Sequence, residues 1–134
     1  MNYIHHICLT VSDAKKSINF YKKVLDWKVI EEKEDYAYFV SDSKEYPATK
    51  CMLVVGESRD GRIPNDKFNR NRIGLDHFAF NVETREELKG IEKRLKSAGI
   101  EIETGGITDD DFGGIALFCY DPDGMKVEFH LNSK

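Results

Sequence analysis

The chain has 134 residues, 40% hydrophobic and 33% charged, with Lys+Arg 20 against Asp+Glu 24 and a formal net charge of -4. That length suits one domain burying roughly two-thirds of its unfolded surface, and excludes a long multidomain enzyme. The acidic balance offers no general attraction for nucleic acid or an anionic membrane, and no apolar run nears the ~20 residues of a membrane span.

Ile4 to Val11 reads as a strand, with His6, Cys8 and Thr10 on one face and Ile7, Leu9 and Val11 on the other. A strand beginning so early leaves no basic-then-apolar signal segment. Ser12-Asp13 then caps a helix whose Ala14, Ile18, Tyr21 and Val24/Leu25 form one apolar stripe. Strands are expected at Trp27 to Glu32, Tyr36 to Val40 and Cys51 to Val55. A connector follows, rich in both charges, with Arg59, Arg62, Lys67, Arg70 and Arg72 against Glu57, Asp60 and Asp66.

The same order restarts at Leu75. Leu75 to Val82 places His77, Ala79 and Asn81 on one face and Phe78, Phe80 and Val82 on the other. Thr84 with Glu87 forms a capping box, Leu88, Ile91, Leu95 and Ala98 make the helical stripe, and Gly99 stops it. Strands are expected at Ile100 to Glu103, Ile115 to Tyr120 and Met125 to Leu131, with Asp121-Pro122-Asp123-Gly124 as the last hairpin turn. Superposing the halves puts His6 on His77 and Leu9 on Phe80, then Ala37, Phe39 and Asp42 on Ala116, Phe118 and Asp121. The fold class is therefore α+β: two βαβββ modules in tandem, residues 1–58 and 73–134 with connector 59–72, in one domain whose sheets curve around a shared cavity.

The faces turned from the helices carry too many polar groups for an ordinary core: His6, Cys8 and Thr10, then His77 and Asn81, then Lys126, Glu128 and His130. Two imidazoles and a carboxylate suit a divalent metal and leave positions open for water and substrate. Any one of these alone is more simply a hydrogen-bonded strand histidine or a rim charge; together, at equivalent strand positions, His6, His77 and Glu128 point to a metal site. His5 is assigned to the helix side or the sheet edge, and His130 to a structural role or one beside the ligands. Cys8 is read first as a small buried hydrophobe and second as a reactive thiol. The three cysteines Cys8, Cys51 and Cys119 lack paired spacing, so a reduced, cytoplasmic setting is expected. Asp109-Asp110-Asp111, between Gly105-Gly106 and Gly113-Gly114, is either a mobile lid or a solvated hairpin connection.

The segments HICLTVSDAKKSINFYKKVLDW, GLDHFAFNVETREEL and LFCYDPDGMKVEF together resemble the vicinal oxygen chelate superfamily, which includes glyoxalase I, fosfomycin-resistance proteins, extradiol dioxygenases and bleomycin-resistance proteins. The resemblance implies a dimer and one divalent metal (Fe, Mn, Ni, Co or Zn) held by His6, His77 and Glu128. The fourth ligand of glyoxalase I would fall at Leu53, which cannot bind metal; neither Met52 nor Val54, one register away, is better. Ile73-Gly74-Leu75-Asp76 departs from the Ser/Thr-Tyr-Thr that precedes this histidine in fosfomycin-resistance proteins, and Phe118 stands where extradiol enzymes carry a tyrosine. The expected function is a glyoxalase-like metal-dependent enzyme that chelates a small substrate through adjacent oxygens, by lyase, isomerase or thiol-transferase chemistry. Thr10, Asn81, Phe118 and His130 would line the pocket, with Cys8 and Lys126 as candidate catalytic groups. The alternatives are a non-catalytic small-molecule binding or resistance protein and a small extradiol-type dioxygenase.

Overall fold

A computed structural model describes residues 4–41, 51–111 and 113–132. The chain divides into two compact units, Met1–Asp66 and Lys67–Lys134. The first contains β1 (His6–Thr10), α1 (Ala14–Val24), β2 (Lys28–Glu32), β3 (Tyr36–Val40) and β4 (Met52–Gly56), with strands in the order β1-β4-β3-β2. The second contains β5 (His77–Asn81), α2 (Arg85–Ser97), β6 (Thr108–Asp109), β7 (Ile115–Tyr120) and β8 (Lys126–Leu131), in the order β5-β8-β7-β6. In both, the first strand lies parallel to the last and the other pairs are antiparallel. The two tandem modules and the α+β class are as the sequence predicts. Asp42 lies outside the described residues.

Local chemistry accounts for the helices. The Asp13 carboxylate accepts from the Lys16 N–H at 2.9 Å and starts α1, whose Ala14, Ile18, Tyr21 and Val24 are buried. That stripe packs on β3 and β4, with the Tyr21 ring 6.3 Å from the Phe39 ring. Thr84 Oγ1 accepts from the Glu87 N–H at 3.1 Å and caps α2, while the Glu87 carboxylate accepts from the N–H of Glu83, one residue before the cap, at 3.0 Å. Leu88, Ile91 and Leu95 are buried, and α2 packs on β8. Asp121 Oδ1 accepts from the Asp123 and Met125 N–H groups, each at 2.9 Å, while Gly124 takes φ 84°, a conformation glycine adopts without strain.

Four expectations need correction. Ile100 to Glu103 does not form the fourth strand of the second sheet: only Ile102 bridges to Cys119, and the edge strand is Thr108–Asp109. The segment turns back at once, with the Gly105 N–H on the Ile102 carbonyl at 3.0 Å, so the chain reaches the strand β7 from further along. The Asp109–Asp111 stretch is accordingly the hairpin into β7, not a lid. Asp110 is not solvated there either, since its side chain is buried.

The third correction is one of register. His6 pairs with Met52 and Cys8 with Val54, whereas His77 pairs with Lys126 and Ala79 with Glu128. Val54, not Leu53, is thus the counterpart of Glu128. Tyr38 pairs with Val54 and Phe118 with Glu128, so Tyr38 rather than Phe39 corresponds to Phe118. Leu53 is 1% exposed and points to the helix side, as alternation along a strand requires. Cys8, read as a buried hydrophobe, is exposed.

Candidate metal centre

Alternation along β8 divides the second unit's chemistry cleanly. Val127 and Phe129 are buried beneath α2, so Lys126, Glu128 and His130 project from the opposite face of the sheet. Parallel pairing then sets His77 beside Lys126 and Asn81 beside His130. Glu128 is only 5% exposed, and a buried carboxylate requires charge or hydrogen-bond compensation. Its Oε2 lies 3.1 Å from His77 Nε2 and its Oε1 lies 3.2 Å from His130 Nδ1.

Both nitrogens of His77 face acids: Nδ1 is 2.6 Å from Asp76 Oδ1, and Nε2 faces Glu128. A neutral imidazole has a single N–H. Donated to Asp76 across the shorter contact, it leaves the Nε2 lone pair directed at a carboxylate oxygen, an arrangement that calls for a positive charge at that point. Neutral imidazole nitrogen and ionised carboxylate are suitable donors for a divalent metal, and a carboxylate on the far nitrogen is the usual companion of a ligating histidine. The donor set therefore fits a metal ion. The hydrogen bond to His77 holds the Asp76 carboxyl below the ordinary carboxylate range, and Arg70, whose Nε is 3.2 Å from Asp76 Oδ2, adds to the shift.

Around this core the other candidates are placed unequally. Asp110 joins Glu128 and His130 in a group whose ligand atoms all lie within 4.8 Å of one another. Lys126 Nζ is 2.6 Å from Glu103 Oε2 and 4.2 Å from the centre of the Phe118 ring, so the ammonium is fixed by a carboxylate and an aromatic face. Asn81 is exposed on β5. In the first unit, His6, Cys8 and Thr10 are all exposed on one face of β1, as alternation predicts, and His6 Nδ1 is 2.9 Å from His5 Nδ1. Asp76, Asp110 and Glu103 were missed in the sequence. Asp76 was findable, because a carboxylate beside a candidate ligand histidine suits its outer hydrogen bond; nothing local marks the other two.

The profile of the Glyoxalase/Bleomycin resistance protein/Dioxygenase superfamily matches residues 3–129. The chain belongs to that superfamily. It is 33% identical over 130 residues to the metallothiol transferase FosB of Staphylococcus saprophyticus, covering 97% of this chain and 77% of that protein. It is 30% identical over 126 residues to the trivalent organoarsenical cleaving enzyme of Bacillus sp. MD1, covering 92% of this chain and 70% of the relative. Among solved structures, a glyoxylase/bleomycin resistance protein/dioxygenase domain from Frankia sp. EAN1pec superposes with TM-score 0.73 at 26% identity, covering 99% of each chain. Among the described residues, no helix is long and apolar enough to cross a membrane.

Proposed function

We propose that the protein is a metal-dependent enzyme acting on a small molecule held through neighbouring oxygens, by transferase or lyase chemistry. The observation that carries this reading is His77, with Asp76 on one nitrogen and the buried Glu128 on the other. His77 and Glu128 would hold the ion, and the superfamily resemblance nominates His6 as the third ligand. A bound Fe, Mn, Ni, Co or Zn ion would supply Lewis-acid stabilisation of negative charge on a substrate oxygen. Asp76 fixes the tautomer and ring plane of His77. Lys126, held over Phe118 by Glu103, presents a cation on the same face as Glu128 and is suited to orient an anionic oxygen of the substrate. A thiol-transfer or bond-cleaving reaction is supported by the names of the two curated relatives. Cys8, exposed on the same strand as His6, remains the candidate nucleophile of this chain.

Phe118 supports this reading over the extradiol one, because a phenyl ring cannot donate a proton. We further propose a homodimer, supported by the exposure of Ile73 and Leu75 ahead of β5, and a reduced cytoplasmic setting, supported by three free thiols. Metal analysis of purified protein tests the central claim. Stoichiometric divalent metal that disappears in His77→Ala and Glu128→Ala is the expected result; full small-ligand affinity in metal-free protein would instead make it a non-catalytic binding protein. Sedimentation that shows only a 15.4 kDa species at micromolar concentration would remove the dimer.

A further inference from the structure

The metal reading uses one oxygen of Glu128 and leaves the other. Oε1 lies 3.2 Å from His130 Nδ1, and the same nitrogen lies 2.7 Å from Asp110 Oδ2. All three side chains are largely buried. Asp110 is itself anchored, because the Gly114 N–H donates to its Oδ1 at 2.9 Å and the Asp110 N–H donates to the Gly114 carbonyl at 3.1 Å. Gly114 also permits the approach: a Cβ there would stand 2.5 Å from the Leu131 carbonyl oxygen and 3.0 Å from both Asp110 Oδ2 and His130 Cε1.

We infer that Asp110 and His130 are positioning residues, which engage Glu128 Oε1 and so hold Oε2 toward His77 for the ion. The inference rests on the metal reading proposed above and extends it to residues that the ligand set leaves out. A glutamate has three side-chain torsions, so burial alone does not decide which oxygen faces the imidazole of His77. A hydrogen bond to one oxygen does. The alternative is that Asp110, Glu128 and His130 are ligands of a cation of their own. The hydrogen-bond partner of His130 Nδ1 is Glu128 Oε1 at 3.2 Å, and an Nδ1 that donates its proton to that oxygen has no lone pair to give a metal. The second unit thereby supports each of its two ligands with an outer acid: Asp76 directly on His77, and Asp110 through His130 on Glu128.

The test is titration of the full-length metal-free protein with Co²⁺, read by calorimetry and by the visible absorption of the bound ion. Wild type should take up one Co²⁺ per chain. Asp110→Asn and His130→Gln should keep that stoichiometry, bind Co²⁺ roughly 10- to 100-fold more weakly, and shift the absorption bands, because the ligand field of Glu128 changes with its orientation. Thermal melting of the metal-free variants separates this from unfolding, and either variant that keeps a cooperative melt suffices. Unchanged affinity and spectrum in a folded variant would overturn the inference while leaving the metal reading intact. Two Co²⁺ per wild-type chain, one of them lost in Asp110→Asn, would overturn it in favour of direct ligation. Absence of Co²⁺ binding by wild type would remove both readings.

Discussion

The two units share strand order and pairing, yet one face of each sheet has been kept and the other has not. Under the helices, Leu53 and Val55 in the first unit match Val127 and Phe129 in the second, and all are buried. On the opposite face, Met52, Val54 and Gly56 in the first unit stand where Lys126, Glu128 and His130 stand in the second. Packing against a helix restricts the first set to apolar groups of suitable size. The second set is under no such packing restriction, and its charged groups are concentrated in one copy.

The largest test of this comparison is a pair of substitutions one residue apart. Leu53→Glu places a carboxylate under α1 and should cost more than about 4 kcal/mol, enough to abolish a cooperative melt in a marginal protein. Val54→Glu, at the half-buried counterpart of Glu128, should cost only about 1 kcal/mol. Denaturant titration measures both. Equal costs would mean that the register separating the two faces is wrong.

A second contrast concerns thiols. Cys8 is exposed on β1, whereas burial, and secondarily the Asp121 charge, push the Cys119 thiol from 9.0 up to about 12. The sign is unfavourable at high pH: the unfolded thiol ionises near ~8.5 and the folded one does not, so this group lowers stability as pH rises from ~8.5 toward the folded value. At pH 8, alkylation of native protein should modify the exposed Cys8 far faster than Cys119, which is buried and held in its thiol form. Mass spectrometry of peptides after a short pulse reads the ratio; comparable labelling would show that β7 is not covered.

The third compares the two partners of Asp76. Asp76→Asn should weaken metal binding by roughly 10- to 100-fold, since it removes the acid that orients His77. Arg70→Ala touches only the exposed side of the same carboxylate and should weaken it less than about fivefold. Calorimetric titration with Mn²⁺ distinguishes these, and the reverse ranking would locate the orienting role elsewhere.

What the sequence disclosed follows the range over which its signals act. The α1 and α2 caps, the helical stripes and the Asp121–Gly124 turn are set by contacts within a few residues, and each appears where the pattern placed it, except that Ala98, expected in the α2 stripe, is the exposed C-cap. In β8 the alternation of Lys126, Val127, Glu128, Phe129 and His130 declares its own phase. In β4, Met52-Leu53-Val54-Val55 is apolar throughout, so its phase is fixed only by pairing with β1 and β3, and local pattern alone puts Leu53 on the wrong face. The edge strand of the second sheet was misplaced because Ile100 to Glu103 has a strand-like pattern but a turn directly behind it. Asp110 reaches Glu128 through a hairpin that a local pattern cannot close, and it was seen only as one of three loop acids.

The smallest effect tests whether charge on the second unit's face also supports its fold. Lys126 is mostly buried between the Glu103 carboxylate and the Phe118 ring, while the corresponding Met52 of the first unit is uncharged. The hydrogen bond from Lys126, with a further one from Tyr120, holds the Glu103 carboxyl below its ordinary value of 4.5. A lowered folded value means stability that is present above the unfolded pKa and is lost as pH falls through the folded one. Lys126→Met keeps an aliphatic stem over Phe118 and removes the charge, so it should cost about 1 kcal/mol at pH 7. The deficit should shrink below pH ~4.5, as the wild-type protein loses the same contribution by protonation. Denaturant melts of both proteins across that range give the two curves. A deficit that stayed constant to low pH would assign the loss to packing over Phe118 rather than to the ion pair, and the two faces would then differ in chemistry without differing in what holds them together.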